Sequence, residues 1–417
     1  MRKDFCLTSE DTTDNFVGIR FADGKPEVVF PRGYNIPDDE RERRRDIFRL
    51  LYVLQYFSRG IAEGSALKNT AEIISTLPIQ SYQYIIQDYL AHGYYTEKET
   101  VFKRDTAGKI SWKRTVQTEK AQISGSNPVY LNFQVKHNRV NDKGLITQIH
   151  RYCVYESFRM FGWLYLPFDS LPPKPGIELN RQLFLSVLTD ALKNTNDDAK
   201  KKLFTSMINM INEKHEDFNY RTNALGVTHF AGIWERLIDH VFGEDNKERY
   251  FPHAKWQIFK NGRFQESSAL EPDTIMKHDG KIYILDAKYY QYGITERPDD
   301  LPNTSSIQKQ ITYARHVQTL GEVPPEKIYN AFVLPYNGEA DNEGDYILKF
   351  VAVGTANWEE YNLEEMYDYK YILGILLDTR HLMTTFVRHN AREIDQLSAK
   401  IEESIALYKA QYAAQNS

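Results

Sequence analysis

Apolar residues recur along this chain with two periods, and the switches between those periods divide it into four stretches. In residues 1–40 the runs VGIRF and EVVF alternate around Ala22-Asp23-Gly24-Lys25, which predicts two short strands and a turn. Pro31, Gly33 and Pro37 then break the alternation. From residue 41 the period becomes helical. Asp38 and Asp39 are placed to cap a helix from about Glu40 that carries Ile47, Leu50, Leu51, Leu54 and Phe57 on one face. A second helix fits 70–76. A third follows Pro78, with Ile79, Tyr82, Ile85, Ile86, Tyr89 and Leu90 on one face and Gly93 at its end. Strands at 94–102 and 109–116 around Asp105-Thr-Ala-Gly108 complete the order of a winged helix over 41–120.

Residues 121–222 form a mixed connecting region. It holds the candidate strand PVYLNFQV, the helical stretch LITQIHRYCVYESFRMFGWLY, and a polar, lysine-rich segment over 194–216 that places a boundary near residue 220. From 223 to 417 helix and strand alternate. The pattern predicts a helix over 227–242, strands over 273–276 and 282–287, a helix over 305–320, strands at IYNAFVLPY and KFVAVG, and two closing helical stretches, the last carrying Ile394, Leu397, Ile401, Ile405 and Tyr408. The predicted class is an α+β N-terminal region containing a winged helix, followed by an α/β domain with a mixed central sheet flanked by helices.

Composition narrows the picture. The 417 residues suggest about two or three domains. A net charge of −5 argues against a protein that coats nucleic acid with its whole surface. Cys6 and Cys153 supply neither a disulfide framework nor a zinc cluster. No apolar run reaches the ~20 residues of a bilayer span and the N-terminus has no secretory core, so the expectation is a cytoplasmic protein with no membrane partner. The +3 balance of residues 97–120 marks a local basic surface. Gln80, Gln83 and Gln87 on the third helix, with Lys103, Arg104, Lys109, Lys113 and Arg114 on the hairpin, are the candidate contacts to double-stranded DNA. A winged helix that docks on protein is the competing reading. The arginines at 41, 43, 44 and 45 read as a charged helix start, and His150, His229 and His240 as packing or surface residues.

Candidate chemistry concentrates in Glu271-Pro-Asp-Thr-Ile-Met-Lys-His-Asp-Gly-Lys-Ile-Tyr-Ile-Leu-Asp-Ala-Lys-Tyr-Tyr290. Asp279-Gly280 is a two-residue turn signal between alternating strands, and folding back at that turn brings Asp273 near Asp286. Asp286 and Lys288 share a strand face. Two carboxylates beside a lysine suit a hard cation such as Mg²⁺ and the hydrolysis of a phosphodiester. Glu235, on an amphipathic helix, can add a third carboxylate. Gln310, with Gln308, Lys309 and Tyr313, can reach back toward the lysine or a phosphate.

These motifs resemble the PD-(D/E)xK nucleases, through Pro272-Asp273 and Asp286-Ala-Lys288, and more narrowly the LlaJI-type restriction endonucleases. The narrower likeness rests on Phe230 through Trp234-Glu235, Asp286 through Tyr290, Lys309-Gln310 with Tyr313, Asn330 through Pro335, Phe30 through Tyr34, and Gly108 through Thr115. The resemblance implies a Mg²⁺-dependent DNA endonuclease of a restriction system, similar to the nuclease subunit of McrBC-like systems. It implies Asp273, Asp286 and the Ala287 carbonyl as metal ligands, Lys288 as the catalytic lysine and Glu235 as the helix-borne acid. Many nucleases of the wider superfamily carry Glu where Asp286 stands. The resemblance also implies an McrB-like GTPase or AAA+ motor as partner, and allows a homodimer. No Gly-x-x-x-x-Gly-Lys-Ser/Thr occurs in the chain, so nucleotide hydrolysis would fall to that partner. The alternative function is a non-catalytic winged-helix DNA-binding or regulatory protein with a structural α/β domain. Convergence of Glu235, Asp273, Asp286 and Lys288 discriminates the two.

Overall fold

The structure is a computed structural model. It describes residues 5–12, 14–22, 25–62, 73–75, 78–124, 127–166, 171–213, 224–260, 262–338, 350–356, 368–387 and 390–415. The chain separates into two compact units, one built from Thr76–Asn219 and the other from Arg2–Ser75 together with Tyr220–Ser417. Secondary structure is mixed in both. Among the described residues no helix is long and apolar enough to cross a membrane.

The discontinuous unit opens with β1 (Cys6–Thr8), β2 (Val17–Ala22) and β3 (Lys25–Phe30). β2 and β3 form the expected antiparallel pair, with Ala22 opposite Lys25, and β1 joins β3 in parallel. The turn residues at 23–24 lie outside the described residues. In α1 (Glu40–Ala62) the Asp39 Oδ1 accepts the amides of Arg41 and Glu42, each at 2.9 Å, which satisfies two of the helix's unpaired donors. Its apolar stripe of Ile47, Leu50, Leu51, Leu54 and Phe57 is buried as the spacing predicts. Arg44 pairs with Glu40, and Arg43 donates to the Pro37 and Asp38 carbonyls, so this basic run stabilises the helix start. The helix expected at 70–76 falls partly outside the described residues. Its described part, Ile73–Ser75, is strand β4. Adjacent β-branched residues favour an extended chain once a partner strand is present.

The other unit begins with α2 (Ile79–His92), which follows Pro78 and stops at Gly93, where φ is +77° and the amide donates to the Tyr89 carbonyl at 2.8 Å. β5 (Glu97–Asp105), β6 (Lys109–Ile110), α3 (Trp112–Thr118), β7 (Gln122–Ser124), β8 (Asn127–Val129) and β9 (Phe133–Asn141) come next. The expected hairpin of 94–102 with 109–116 is not formed. β9 lies between β5 and β6, and most of the second expected strand is the short helix α3. Trp112, Thr115 and Val116 fit a helical repeat as well as an alternating one, and only buried Thr115 faces inward. The strand expected at PVYLNFQV is divided between β8 and β9. With α1 and α2 in different units and β4 a strand, residues 41–120 do not assemble as the expected winged helix. α4 (Leu145–Tyr165) matches its predicted stretch residue for residue, and with α2, α5 (Arg181–Lys193) and α6 (Asp198–Glu213) it encloses this unit's core.

The chain returns to the first unit at β10 (Ala224–Val227), a strand in residues with no sequence expectation beyond the start of a helix at 227. β10 fits between β2 and β4, antiparallel to both. Gly18 faces Gly226 there, and a Cβ on Gly226 would stand 2.3 Å from the Val17 carbonyl oxygen, so close backbone approach demands glycine. α7 (Ala231–Phe242), the ribbon β11 (Lys255–Ile258) and β12 (Arg263–Glu266), β13 (Thr274–His278), β14 (Lys281–Ala287), α8 (Tyr292–Thr295), α9 (Thr304–Leu320), β15 (Ile328–Tyr336), β16 (Phe350–Ala356), β17 (Ile372–Asp378), α10 (Thr379–Thr385) and α11 (Ala391–Gln415) follow. β17 has no counterpart among the predicted elements. The central sheet runs β13-β14-β15-β17-β16, parallel through β14, β15 and β17 and antiparallel at both edges. Ile282 and Ile284 of β14 pack with Tyr313, Ala314 and Val317 of α9 on one face, while Tyr283 points to the other and donates to Glu402 of α11. The mixed sheet is therefore covered by helices on both faces.

Candidate active site

The β13–β14 turn sets the site's geometry. Asp279 and Gly280 take φ of +46° and +68°, the left-handed pair that a tight two-residue hairpin turn requires. The register from His278 opposite Lys281 to Thr274 opposite Leu285 continues by one step to Asp273 opposite Asp286. The Oδ2 of Asp273 accepts the Ala287 amide at 2.8 Å. Two residues on from Asp286, on the same face, Lys288 gives its ammonium to the Asp286 Oδ2 at 2.6 Å. Its backbone amide still bonds the Val333 carbonyl at 2.9 Å, so the lysine leaves from a fixed strand end.

α7 carries the next member. Trp234 is fully buried and its indole donates to the Val333 carbonyl at 3.3 Å, which anchors the helix over the end of the parallel strands and sets Glu235 beside the cluster. The electrostatics register that proximity. Burial, then the charges of Asp286 and Glu235, hold the Asp273 carboxyl well above the usual carboxylate range. Burial raises Glu235 as well, with Asp286 adding to it and Lys288 opposing. For Lys288 burial works against the charge, but Asp286 and Asp273 outweigh it and leave the ammonium more firmly protonated. Tyr313 of α9 feels the same acids: burial, then Asp286 and Asp273, keep its proton on, and its hydroxyl donates to the Glu271 carbonyl at 3.3 Å. The structure thus brings Glu235, Asp273, Asp286, Lys288 and Tyr313 together, three acids against one lysine.

That surplus of negative oxygen donors in a partly desolvated place fits a hard divalent cation. Among the described residues no three His, Cys, Asp or Glu side chains form a ready-made metal cluster. The fit is therefore to a sparse site of two carboxylates completed by water.

Gln310 lies elsewhere. It is fully buried, and its amide nitrogen donates to the Ile284 and Ala331 carbonyls at 3.1 and 3.3 Å, tying α9 to β14 and β15. Asn330 continues this tie by donating to the Gln310 and Tyr369 carbonyls. The candidate DNA contacts belong to the other unit and are spread over four elements. Gln80, Gln83 and Gln87 are on α2, Lys103 and Arg104 on β5, Lys109 on β6, and Lys113 and Arg114 on α3. Arg104 is paired with Glu119 at 2.6 Å, and the Arg114 guanidinium lies 4.0 Å over the Phe102 ring. Lys136 and Arg139 on β9 are exposed as well and lie opposite Phe102 and Glu99 of β5, on the two faces of the sheet.

Sequence reasoning also missed a clamp behind Lys288. Arg32 donates its backbone amide to the Tyr289 hydroxyl at 2.5 Å and its guanidinium to the Tyr289 carbonyl at 2.7 Å, with that guanidinium 5.0 Å from the ring centroid. Phe30 through Tyr34 stands out as a motif, but nothing local ties it to a residue 257 positions away.

Comparison with known proteins first gives the class: the chain is a member of a restriction endonuclease family, a family of nucleases from restriction systems. The particular family is that of the LlaJI restriction endonucleases, to which the chain belongs over residues 16–357. A relative, the type II restriction enzyme BsuMI component YdjA of Bacillus subtilis (strain 168), is 25% identical over 352 residues, covering 79% of this chain and 73% of that protein. A half-complex from the tetradecameric assembly of Thermococcus gammatolerans McrB AAA+ hexamers with bound McrC aligns over 91% of this chain and 83% of the other, at 16% identity and a TM-score of 0.33.

Proposed function

We propose that this chain hydrolyses phosphodiester bonds of double-stranded DNA in a restriction system, through a PD-(D/E)xK-type site and with Mg²⁺ as cofactor. The observation that carries the reading is the convergence at one strand end: Asp273 opposite Asp286, Lys288 bonded to Asp286, and Glu235 close enough to shift with them. A structural α/β domain has no need of three acids crowded around one lysine, and the non-catalytic alternative leaves that arrangement unexplained.

In this reading Asp273, Asp286 and the Ala287 carbonyl hold the cation, with Glu235 adding charge from α7. Bound there, Mg²⁺ would polarise the phosphoryl oxygen, acidify water and stabilise the leaving oxyanion. The protein's own contribution is positional. The Ala287 amide fixes the Asp273 carboxylate. Asp286 holds the Lys288 ammonium, which remains charged and can orient water or offset charge on the transition state. Basic side chains of β5, β6, α3 and β9 would help to hold duplex DNA, and a separate NTPase subunit would drive any movement along it.

Plasmid cleavage tests the proposal, with and without an McrB-like NTPase. Wild type should cut with Mg²⁺ and not with EDTA. Asp286→Ala and Lys288→Ala should each lower the rate by about 10²–10⁴-fold, the range for losing a positioned catalytic group, while duplex binding is largely kept. Cutting by Asp286→Ala at the wild-type rate would refute the site.

A further inference from the structure

Between the core residue Tyr250 and the site residue Asp273 the chain leaves the body of its unit as the β11–β12 ribbon. Lys255 stands opposite Glu266 and Ile258 opposite Arg263. All eight residues of the two strands are exposed, so neither face of the ribbon is covered. The same ribbon carries large apolar side chains: Trp256 and Phe264 are each 68% exposed, and Phe259 at the tip is 95% exposed. Exposed aromatics gathered on one projecting element mark a contact surface.

Three features identify the occupant. First, residues 253–266 hold three Lys/Arg and a single acid, Glu266, in a chain that is negative overall. Lysine is depleted from protein interfaces and enriched where phosphate is held. Second, side chains alternate along each strand, so Trp256 and Arg263 share one face while Lys255 and Phe264 share the other. Lys255 is paired with Glu266 at 3.0 Å, so the excess positive charge of the ribbon lies with Lys260 and Arg263, while the aromatic on each face suits an element with a wall on either side, as in a groove. Third, the root is fixed at the chemistry. Ser267 donates to the Ala254 carbonyl at 2.9 Å and Leu270 to the Pro252 carbonyl at 3.0 Å, which carries the ladder down to the strand that presents Asp273. The major groove of DNA admits a two-stranded ribbon, and at ~3.3 Å per residue the stretch from Pro252 to Phe259 reaches about 23 Å.

We propose that the β11–β12 ribbon is a DNA arm that enters the major groove of the duplex next to the phosphodiester being cut, with Phe259 at the tip against base edges, Lys260 and Arg263 on phosphates, and Trp256 and Phe264 packed against the two walls of the groove. This rests on the nuclease reading and deepens it by assigning the element that holds the substrate at the site. The arm predicts a preference for duplex over single-stranded DNA and sequence preference close to the cut.

The test uses full-length Asp286→Ala protein, which binds without cutting, and two derivatives of it: Phe259→Ala with Phe264→Ala, and Lys260→Ala with Arg263→Ala. Duplex affinity is measured by fluorescence anisotropy across a salt series, with melting temperature as the check on folding. The aromatic pair should weaken binding about tenfold or more. The basic pair should flatten the slope of log affinity against log salt by roughly 0.9 for each phosphate that is no longer neutralised. Unchanged affinity and slope in both derivatives overturn the arm. So does loss of stimulation by an NTPase partner, read as cutting when the same substitutions are placed in the otherwise wild-type chain, with duplex affinity intact, which would make the ribbon a protein-docking element. The two readings fail differently. Wild type that cuts, with arm derivatives that bind duplex like their Asp286→Ala parent, refutes the arm alone. Wild type that binds duplex without cutting in Mg²⁺ refutes the nuclease reading, and the binding series still decides the arm.

Discussion

Gly33 shows how a single residue ties the N-terminal sheet to the reacting strand. It sits between Arg32, whose amide and guanidinium grip Tyr289, and Tyr34, which stacks on Phe30 with centroids 4.5 Å apart. Its φ is +67°, and a Cβ there would stand 2.9 Å from the backbone of Tyr336. Gly321 at the end of α9 has nearly the same φ, +68°, with no atom within 4 Å of a Cβ. Gly321→Ala should therefore cost about 1 kcal/mol, the strain of a left-handed alanine alone. Gly33→Ala should cost roughly 3 kcal/mol or more because backbone must move as well. Urea unfolding of the two variants measures the difference, and equal losses would mean that Tyr336 yields freely.

Elements explain what was legible in the sequence. The β13–β14 hairpin, with the acids it opposes, was readable because turn, alternation and partner all lie within about 15 residues: Asp279-Gly280 sets the turn, and counting outward puts Asp273 against Asp286. α4, α9 and β15 were readable because each buries a sustained apolar pattern. β4 and β10 were not. Each is too short to show a period, and β10 pairs with β4 and with β2 across about 150 or more positions. The second expected strand of the wing failed for a related reason: its short pattern suits helix and strand alike, and β9 supplies the actual partner for β5. Of the site, Glu235 was placed by the amphipathic pattern of α7, whereas the Arg32 clamp left no local trace. His150 of α4 is the packing residue its sequence setting suggests, and its Nδ1 accepts the Tyr95 amide at 2.9 Å just before β5. Burial lowers its pKa from 6.5 to about 4. The folded state thus keeps His150 neutral while the unfolded chain protonates below 6.5, so its contribution is complete above that pH and is lost as pH falls toward 4. At pH 5 the loss should be about 2 kcal/mol. His150→Asn, which keeps an acceptor near Nδ1, should flatten the dependence between pH 7 and 5 in urea unfolding. An equal slope in the variant would exclude His150 as its source.

At the scale of the whole molecule, the unit of Thr76–Asn219 is inserted into the other between neighbouring strands. β4 ends at Ser75, and Ser75 lies opposite Leu225 in β10, so the two points of departure already face each other as if joined by a turn. A variant in which a short glycine-rich turn replaces residues 76–219 should keep a cooperative thermal transition, because Ser75 already lies opposite Leu225 and loop closure is cheap. A variant starting at residue 223 should not fold, since β10 loses both of its neighbours. Calorimetry separates the outcomes, and failure of the first with success of the second would overturn this division. The facing strand ends have a consequence for how such enzymes diversify. An insertion that enters and leaves through one hydrogen-bonded strand pair behaves as a cassette: a lineage can exchange it by recombination while the unit that carries Glu235, Asp273, Asp286 and Lys288 is inherited untouched.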